Sequence, residues 1–201
     1  MIDEWYGLSS EFVLPRRLHY AYQYRHSDKA NMTDFDAYNI GEQNELIQLG
    51  NCEENQLVAA CLAQKCRRLL DIVSRQLDPP IFNAPEFVEA VRQLIIKNRR
   101  PQVRIIVFDP AAIVRHGHQL LELAHRHSSC IEMRKASAEF NGYNECLLVA
   151  DETAYLHRNN SARYEATVNF NDRRQSRFYL DDFSTMWEAA SPDHNLRQMN
   201  L

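Results

Sequence analysis

Nowhere in the 201 residues does an apolar run approach the ~18 needed to cross a bilayer. The opening stretch, MIDEWYGLSS, is acidic and has neither the basic region nor the apolar region of a secretory leader. A soluble, cytoplasmic protein with no membrane association is therefore expected. CxxC spacing is also missing: Cys52, Cys61, Cys66, Cys130 and Cys146 are odd in number and widely spread, which argues against a closed disulfide framework and a zinc knuckle. Reduced, mostly buried thiols fit such spacing. Past residue 50 there is neither an internal repeat nor a low-complexity tract.

What is present suits one soluble domain with a sizeable core and an appendage, at 45% hydrophobic and 25% charged residues. The formal net charge of −4 is unevenly placed. Residues 1–55 hold ten acids and four bases, leaving seventeen acids and nineteen bases beyond them. An acidic arm over 1–50 thus precedes a nearly neutral domain over 51–201. The arm has one strand-like piece, LHYAYQYRH, in which Tyr20, Tyr22 and Tyr24 alternate. With Arg16, Arg17 and Arg25 these rings could stack on single-stranded nucleic acid, although an aromatic strand more often joins a sheet edge or a subunit interface.

At Asn51 the pattern turns helical. Asn51 and Glu54 resemble a capping box, and Val58, Leu62, Cys66 and Leu69 form an apolar stripe, which predicts a helix over 52–68. LLDIVSRQL reads as a buried strand ended by Pro79 and Pro80, and the next helix starts near Pro85, burying Phe87, Val91, Leu94 and Ile95. VRIIVFD is a strand covered on both faces, followed after Pro110 by one helix over AAIVRHGHQLLELAHRH and a strand at CIEMRKA. Three strands in close succession follow, ECLLVAD, TAYLHRN and YEATVNF, and a closing helix sets Leu180, Phe183, Trp187 and Ala190 on one side. Crossover helices imply parallel pairing early and hairpins late, hence an α/β fold with a mixed sheet flanked by helices.

Several groups are candidates for chemistry. His116, His118, His125 and His127 suggest a metal cluster, yet on one helix residues two apart face nearly opposite ways, so surface or packed histidines are favoured and no metal or cofactor is implied. The basic clusters Lys97, Arg99, Arg100, Arg104 and Arg173, Arg174, Arg177 could bind phosphates of a nucleotide or nucleic acid. Arginines at helix ends and in loops are more often simply solvated.

The stretch YNECLLVAD, residues 143–151, with the strand and turn around it, resembles one repeat of the phospholipase D-like superfamily over residues 51–191. That family's signature is a histidine, any residue, a lysine, four further residues and an aspartate. With Asp151 as the aspartate, Cys146 stands at the lysine position and Asn144 at the histidine position. The resemblance implies that the histidine would attack phosphorus, the lysine neutralise phosphate oxygens and the aspartate support the site. An asparagine amide has a delocalised lone pair, and a thiol supplies no positive charge, so loss of phosphoryl chemistry is expected. The Gly-Ser and asparagine that normally follow are replaced by HRNNSAR. More closely, the C-terminal half looks like a proteobacterial domain of unknown function with this degenerate fold, sometimes attached to GNAT-type N-acetyltransferases. The resemblance implies a homodimer, because single-repeat members build one site from two copies, and an acetyltransferase as a protein partner.

Two bland readings stand beside these. Asp151 at a strand end commonly bonds backbone N–H groups in a turn. Cys146 as a nucleophile needs a base, and His157, about equally far from a turn at Asp151-Glu152, could face it across a hairpin, but a buried apolar thiol is commoner. The leading expectation is a non-catalytic phospholipase D-like binding or regulatory module. The alternatives are a surviving hydrolase, either a phosphodiesterase or a thiol enzyme using Cys146 and His157, and a nucleic-acid-binding protein.

Overall fold

The order of elements in the computed structural model, which describes residues 35–197, follows the alternation of apolar runs. After a short 3-10 turn at Phe35–Ala37 come β1 (Ile47–Leu49), α1 (Cys52–Lys65), β2 (Leu69–Ser74), α2 (Pro79–Phe82), α3 (Pro85–Lys97) and β3 (Gln102–Val107). Next are α4 (Pro110–His116), α5 (Gln119–Arg126), β4 (Ile131–Lys135), β5 (Cys146–Ala150), β6 (Ala154–Arg158), β7 (Ala166–Asn169), α6 (Arg173–Ala189) and α7 (His194–Arg197). Arg16, Arg17, Tyr20, Tyr22, Tyr24 and Arg25 lie outside the described residues. No helix among the described residues is long and apolar enough to cross a membrane.

The seven strands among the described residues form one sheet in the order β1-β7-β6-β5-β2-β3-β4. β2, β3 and β4 are parallel, and every other pairing is antiparallel. Crossover helices join the parallel strands, whereas β5, β6 and β7 follow through short loops, as the spacing of the sequence requires. One face carries α1, α3 and α5, with Leu62, Phe87, Leu70, Ile72 and Ile105 in its core. The other packs Val73, Ile106, Leu147, Val149 and Tyr155 against Phe183 and Met186 of α6. Each of these larger side chains contributes roughly 1.5–3 kcal/mol by leaving water.

Local chemistry sets the boundaries, and it departs from the expectations in four places. Asn51 caps α1 by accepting from Glu54 N at 2.9 Å, while Glu54 reaches back to Gly50 N at 2.7 Å, so the box closes on Gly50. The helix ends at Lys65 and not near 68, because Cys66 turns extended and the N–H groups of Arg67, Arg68 and Leu69 are taken by Asp151. β2 stops at Ser74, short of the proline pair, with Leu77 at φ 53; Pro79 and Pro80 open α2. The helix expected over 111–127 is two helices. Gly117, at φ 70, ends α4, and His118 caps α5 by accepting from Leu120 N at 3.2 Å.

Residues 35–49, grouped with the arm by composition, contribute to this fold. Phe35 and Leu49 are in the core, β1 pairs with β7, and the Tyr38 ring packs on Phe170.

Candidate functional site

Because β2 and β3 run opposite to β5, the ends of the first two meet the beginning of the third. Ser74 and Val107 close their strands at the end of the sheet where Cys146 opens β5 and Arg158 closes β6. Such an end, outside the carboxyl termini of parallel strands, is where open α/β sheets leave a crevice. Here it is a cleft of about 350 Å³ whose lining includes Ser74, Arg75, Asp78, Asn144, Cys146 and Arg158.

Asn144 and Cys146 both border this cleft, so the structure brings two of the three signature positions together. The Asn144 amide donates to Asn160 Oδ1 at 3.2 Å and accepts from Ser161 Oγ at 2.7 Å, while Ser161 N donates to Asn144 O at 2.7 Å. Its side chain thereby pins the loop after β6. Cys146 is buried, and that burial pushes its thiol up to about 11; the Arg158 charge pulls the other way, and Asp78 opposes Arg158. The thiol is protonated at neutral pH and unsuited to nucleophilic attack.

Arg158, which the sequence reading missed, is the cross-strand partner of Cys146. Only 1% exposed, its guanidinium donates to Asp78 Oδ2 at 2.7 Å, to Arg163 O at 2.8 Å and to Ser161 O, and lies 4.9 Å from the Tyr164 ring centre. The positive charge absent from position 146 on β5 thus stands opposite it on β6, already paired with a carboxylate. An arginine inside the apolar run TAYLHRN was the available signal, but its partner Asp78 is eighty residues away. A second guanidinium, Arg75, lies over Phe108 at 5.7 Å and donates to Tyr143 O. Asp109 at the rim accepts from Ala112 N and caps α4.

The other sequence candidates are dispersed. His157 pairs with Leu147, one residue out of register with Cys146, so the two side chains are on opposite faces of the sheet. The reason is a three-residue loop, Asp151 to Thr153, between Ala150 and Ala154, where an even count about Asp151-Glu152 had suggested facing partners. His157 instead bridges Glu145 Oε2 at 2.6 Å and the Tyr179 hydroxyl at 3.0 Å under α6. Asp151 lies beyond the far end of β5, roughly 17 Å from Cys146 by strand rise. Its carboxylate accepts from the backbone N–H groups of Arg67, Arg68 and Leu69 at 2.7, 2.8 and 3.0 Å, which is turn chemistry joining α1, β2 and β5.

The histidines also part company. His116 Nδ1 is 2.9 Å from Ala112 O, His118 is buried, and His125 Nε2 is 2.6 Å from Leu196 O. Among the described residues no three His, Cys, Asp or Glu side chains are grouped to hold a metal. Arg99, Arg100, Arg173, Arg174 and Arg177 are all exposed and lie away from the cleft, at the starts of β3 and α6.

Comparison with solved structures identifies the architecture. Nuc from Salmonella typhimurium, a phospholipase D family member, is 12% identical over 74% of this chain and 97% of its own, with a TM-score of 0.53. NucT from Helicobacter pylori is 13% identical over 75% and 99%, with a TM-score of 0.53. TrmBL2, an archaeal chromatin protein with a novel mode of DNA binding, aligns with 88% of this chain at 11% identity and a TM-score of 0.53, and this chain spans 60% of its length. Identities this low establish the fold, which is phospholipase D-like, and nothing finer. No curated protein sequence matches the chain. A family model matches residues 51–199, about three quarters of the sequence, and the chain accordingly belongs to the family described as a domain of unknown function, DUF7931.

Proposed function

We propose that this chain is a non-catalytic phospholipase D-like module that binds a small polar ligand in the cleft between β2, β5 and the loop after β6. One observation carries the reading: both residues at the attacking and charge-neutralising positions are built into the cleft wall. Asn144 spends its amide on Asn160 and Ser161, and Cys146 is a buried, protonated thiol beside a closed Arg158–Asp78 ion pair. Neither is a competent nucleophile toward phosphorus at neutral pH. The cleft keeps two guanidinium groups, two carboxylates and hydroxyl groups, which suits a ligand bearing both donors and acceptors.

The test is hydrolysis of a chromogenic phosphodiester by the full chain, with native mass spectrometry alongside. The expected outcome is no turnover above buffer and a discrete retained mass that Arg75→Ala reduces. Turnover abolished by Asn144→Ala or Cys146→Ala would show a living site and end the non-catalytic reading. The same spectrum counts subunits, and the resemblance to single-repeat relatives leads us to expect a homodimer.

A further inference from the structure

The end of the sheet opposite the cleft gathers arginines from three separate segments. Arg67 and Arg68 come from the turn between α1 and β2, Arg99 and Arg100 from the turn between α3 and β3, and Arg173 and Arg177 from one face of the first turns of α6. The first two turns are neighbours, since Gln102 N donates to Arg68 O at 2.7 Å and Leu69 pairs with Gln102. A groove of about 750 Å³ has Arg67, Lys97 and Arg173 in its lining, and a second of about 540 Å³ has Arg173 and Arg177; both also touch Asp151 and Thr153, so they are continuous.

These six arginines are exposed, and none makes an ion pair among the described residues. Elsewhere some arginines are matched, as in Arg92–Glu89, Arg104–Asp71, Arg134–Glu132 and Arg158–Asp78, while Arg75, Arg115 and Arg163 make no ion pair among the described residues. The carboxylates nearby are largely engaged: Asp151 by three backbone N–H groups, Asp172 by the Gln175 N–H it caps, and Glu42 by the Asn39 amide. Glu152 and Asp181 also face the grooves, and like Asp151 and Glu42 they make no ion pair among the described residues. Cations contributed by three segments, along connected grooves and the turns beside them, suit an extended polyanion better than a single small anion. No aromatic side chain lines either groove, so base stacking has no platform here.

We propose that this surface binds the phosphate backbone of duplex nucleic acid, without reading sequence and independently of the cleft. Contacts of this kind release counterions, so affinity must fall steeply with salt. The test is fluorescence anisotropy of a labelled ~20-base-pair duplex with the full chain, at ~50 and ~200 mM salt. For about four phosphate contacts the affinity is expected to drop about a hundredfold across that range. Arg99→Glu with Arg100→Glu, and Arg173→Glu with Arg177→Glu, should each weaken binding tenfold or more, and the corresponding glutamine variants should weaken it less but in the same direction. Arg115→Glu, a single reversal of charge on an exposed residue of α4, should leave it unchanged. The proposal is overturned if the duplex does not bind at the lower salt, or if Arg115→Glu weakens it as much as the paired reversals. It is also overturned if polyglutamate displaces the duplex as well as unlabelled duplex does, which would make the surface a dock for an acidic polypeptide.

Discussion

His118 holds two hydrogen bonds of opposite polarity. Its Nδ1 accepts from Leu120 N at 3.2 Å, which leaves Nε2 to donate across 3.0 Å to Leu77 O, so only the neutral ring satisfies both. Burial lowers its pKa from the usual 6.5, and the Leu77 bond resists that only in part. The native state therefore rejects a proton that the unfolded chain accepts. Its stabilising contribution is full above pH ~6.5 and is lost as pH falls through the native value. Urea unfolding between pH 7.5 and 5.5 should show stability falling, and His118→Gln should flatten that slope while costing about 1–3 kcal/mol for the disrupted pair of bonds. Asp71 works the other way at lower pH: burial holds its carboxyl above its ordinary range despite Arg104, so its native form takes up a proton more readily. Asp151 offers a second test at this scale. Asp151→Ala removes the acceptor for three backbone N–H groups and should lower stability by about 2–3 kcal/mol, with Asp151→Asn losing less; an unchanged denaturation midpoint would show the three bonds to be dispensable.

Elements depend on single residues at their ends, and this is where the sequence was hardest to read. Gly117 interrupts what looks like one helix because Ile113, Leu120 and Ala124 keep an apolar stripe running across the break. Its φ of 70 and ψ of 137 lie outside the left-handed helical region, and with open space around the Cβ position Gly117→Ala meets only backbone strain, expected at about 1–3 kcal/mol in chemical denaturation. A shift several times larger would mean the α4–α5 corner does more than turn the chain. The hairpin between β5 and β6 misled for a related reason: Asp151 and Glu152 both take positive φ without being glycine, and counting alone cannot tell a two-residue from a three-residue loop. That one residue moved the partner of Cys146 from His157 to Arg158. The capped start of α1, the β-branched β3 and the apolar β5 were legible because their signals are local. Arg158 with Asp78, and the meeting of the basic turns, were not, since each depends on chain segments far apart in sequence.

Considered as a whole, the molecule is fastened by residues that precede the family match at 51. Gly41 N donates to Phe170 O at 2.8 Å, Asn169 donates to Asn44 at 2.9 Å, Cys61 to Phe35 O at 3.2 Å, and Lys65 to Asp36 O at 2.7 Å. Phe35 and Leu49 together bury enough surface to contribute roughly 3–6 kcal/mol. A chain starting at residue 51 should therefore melt well below one starting at residue 35, by circular dichroism; equal melting would place 35–50 outside the cooperative unit. The pairing of Ile47–Leu49 with Ala166–Val168 has a further effect, on the timetable of synthesis. A ribosome adding ~5–20 residues per second needs on the order of ten seconds to make the strand that β1 waits for. Throughout that interval Ile47 and Leu49 are bare apolar side chains on a growing chain, open to whatever binds nascent hydrophobic segments.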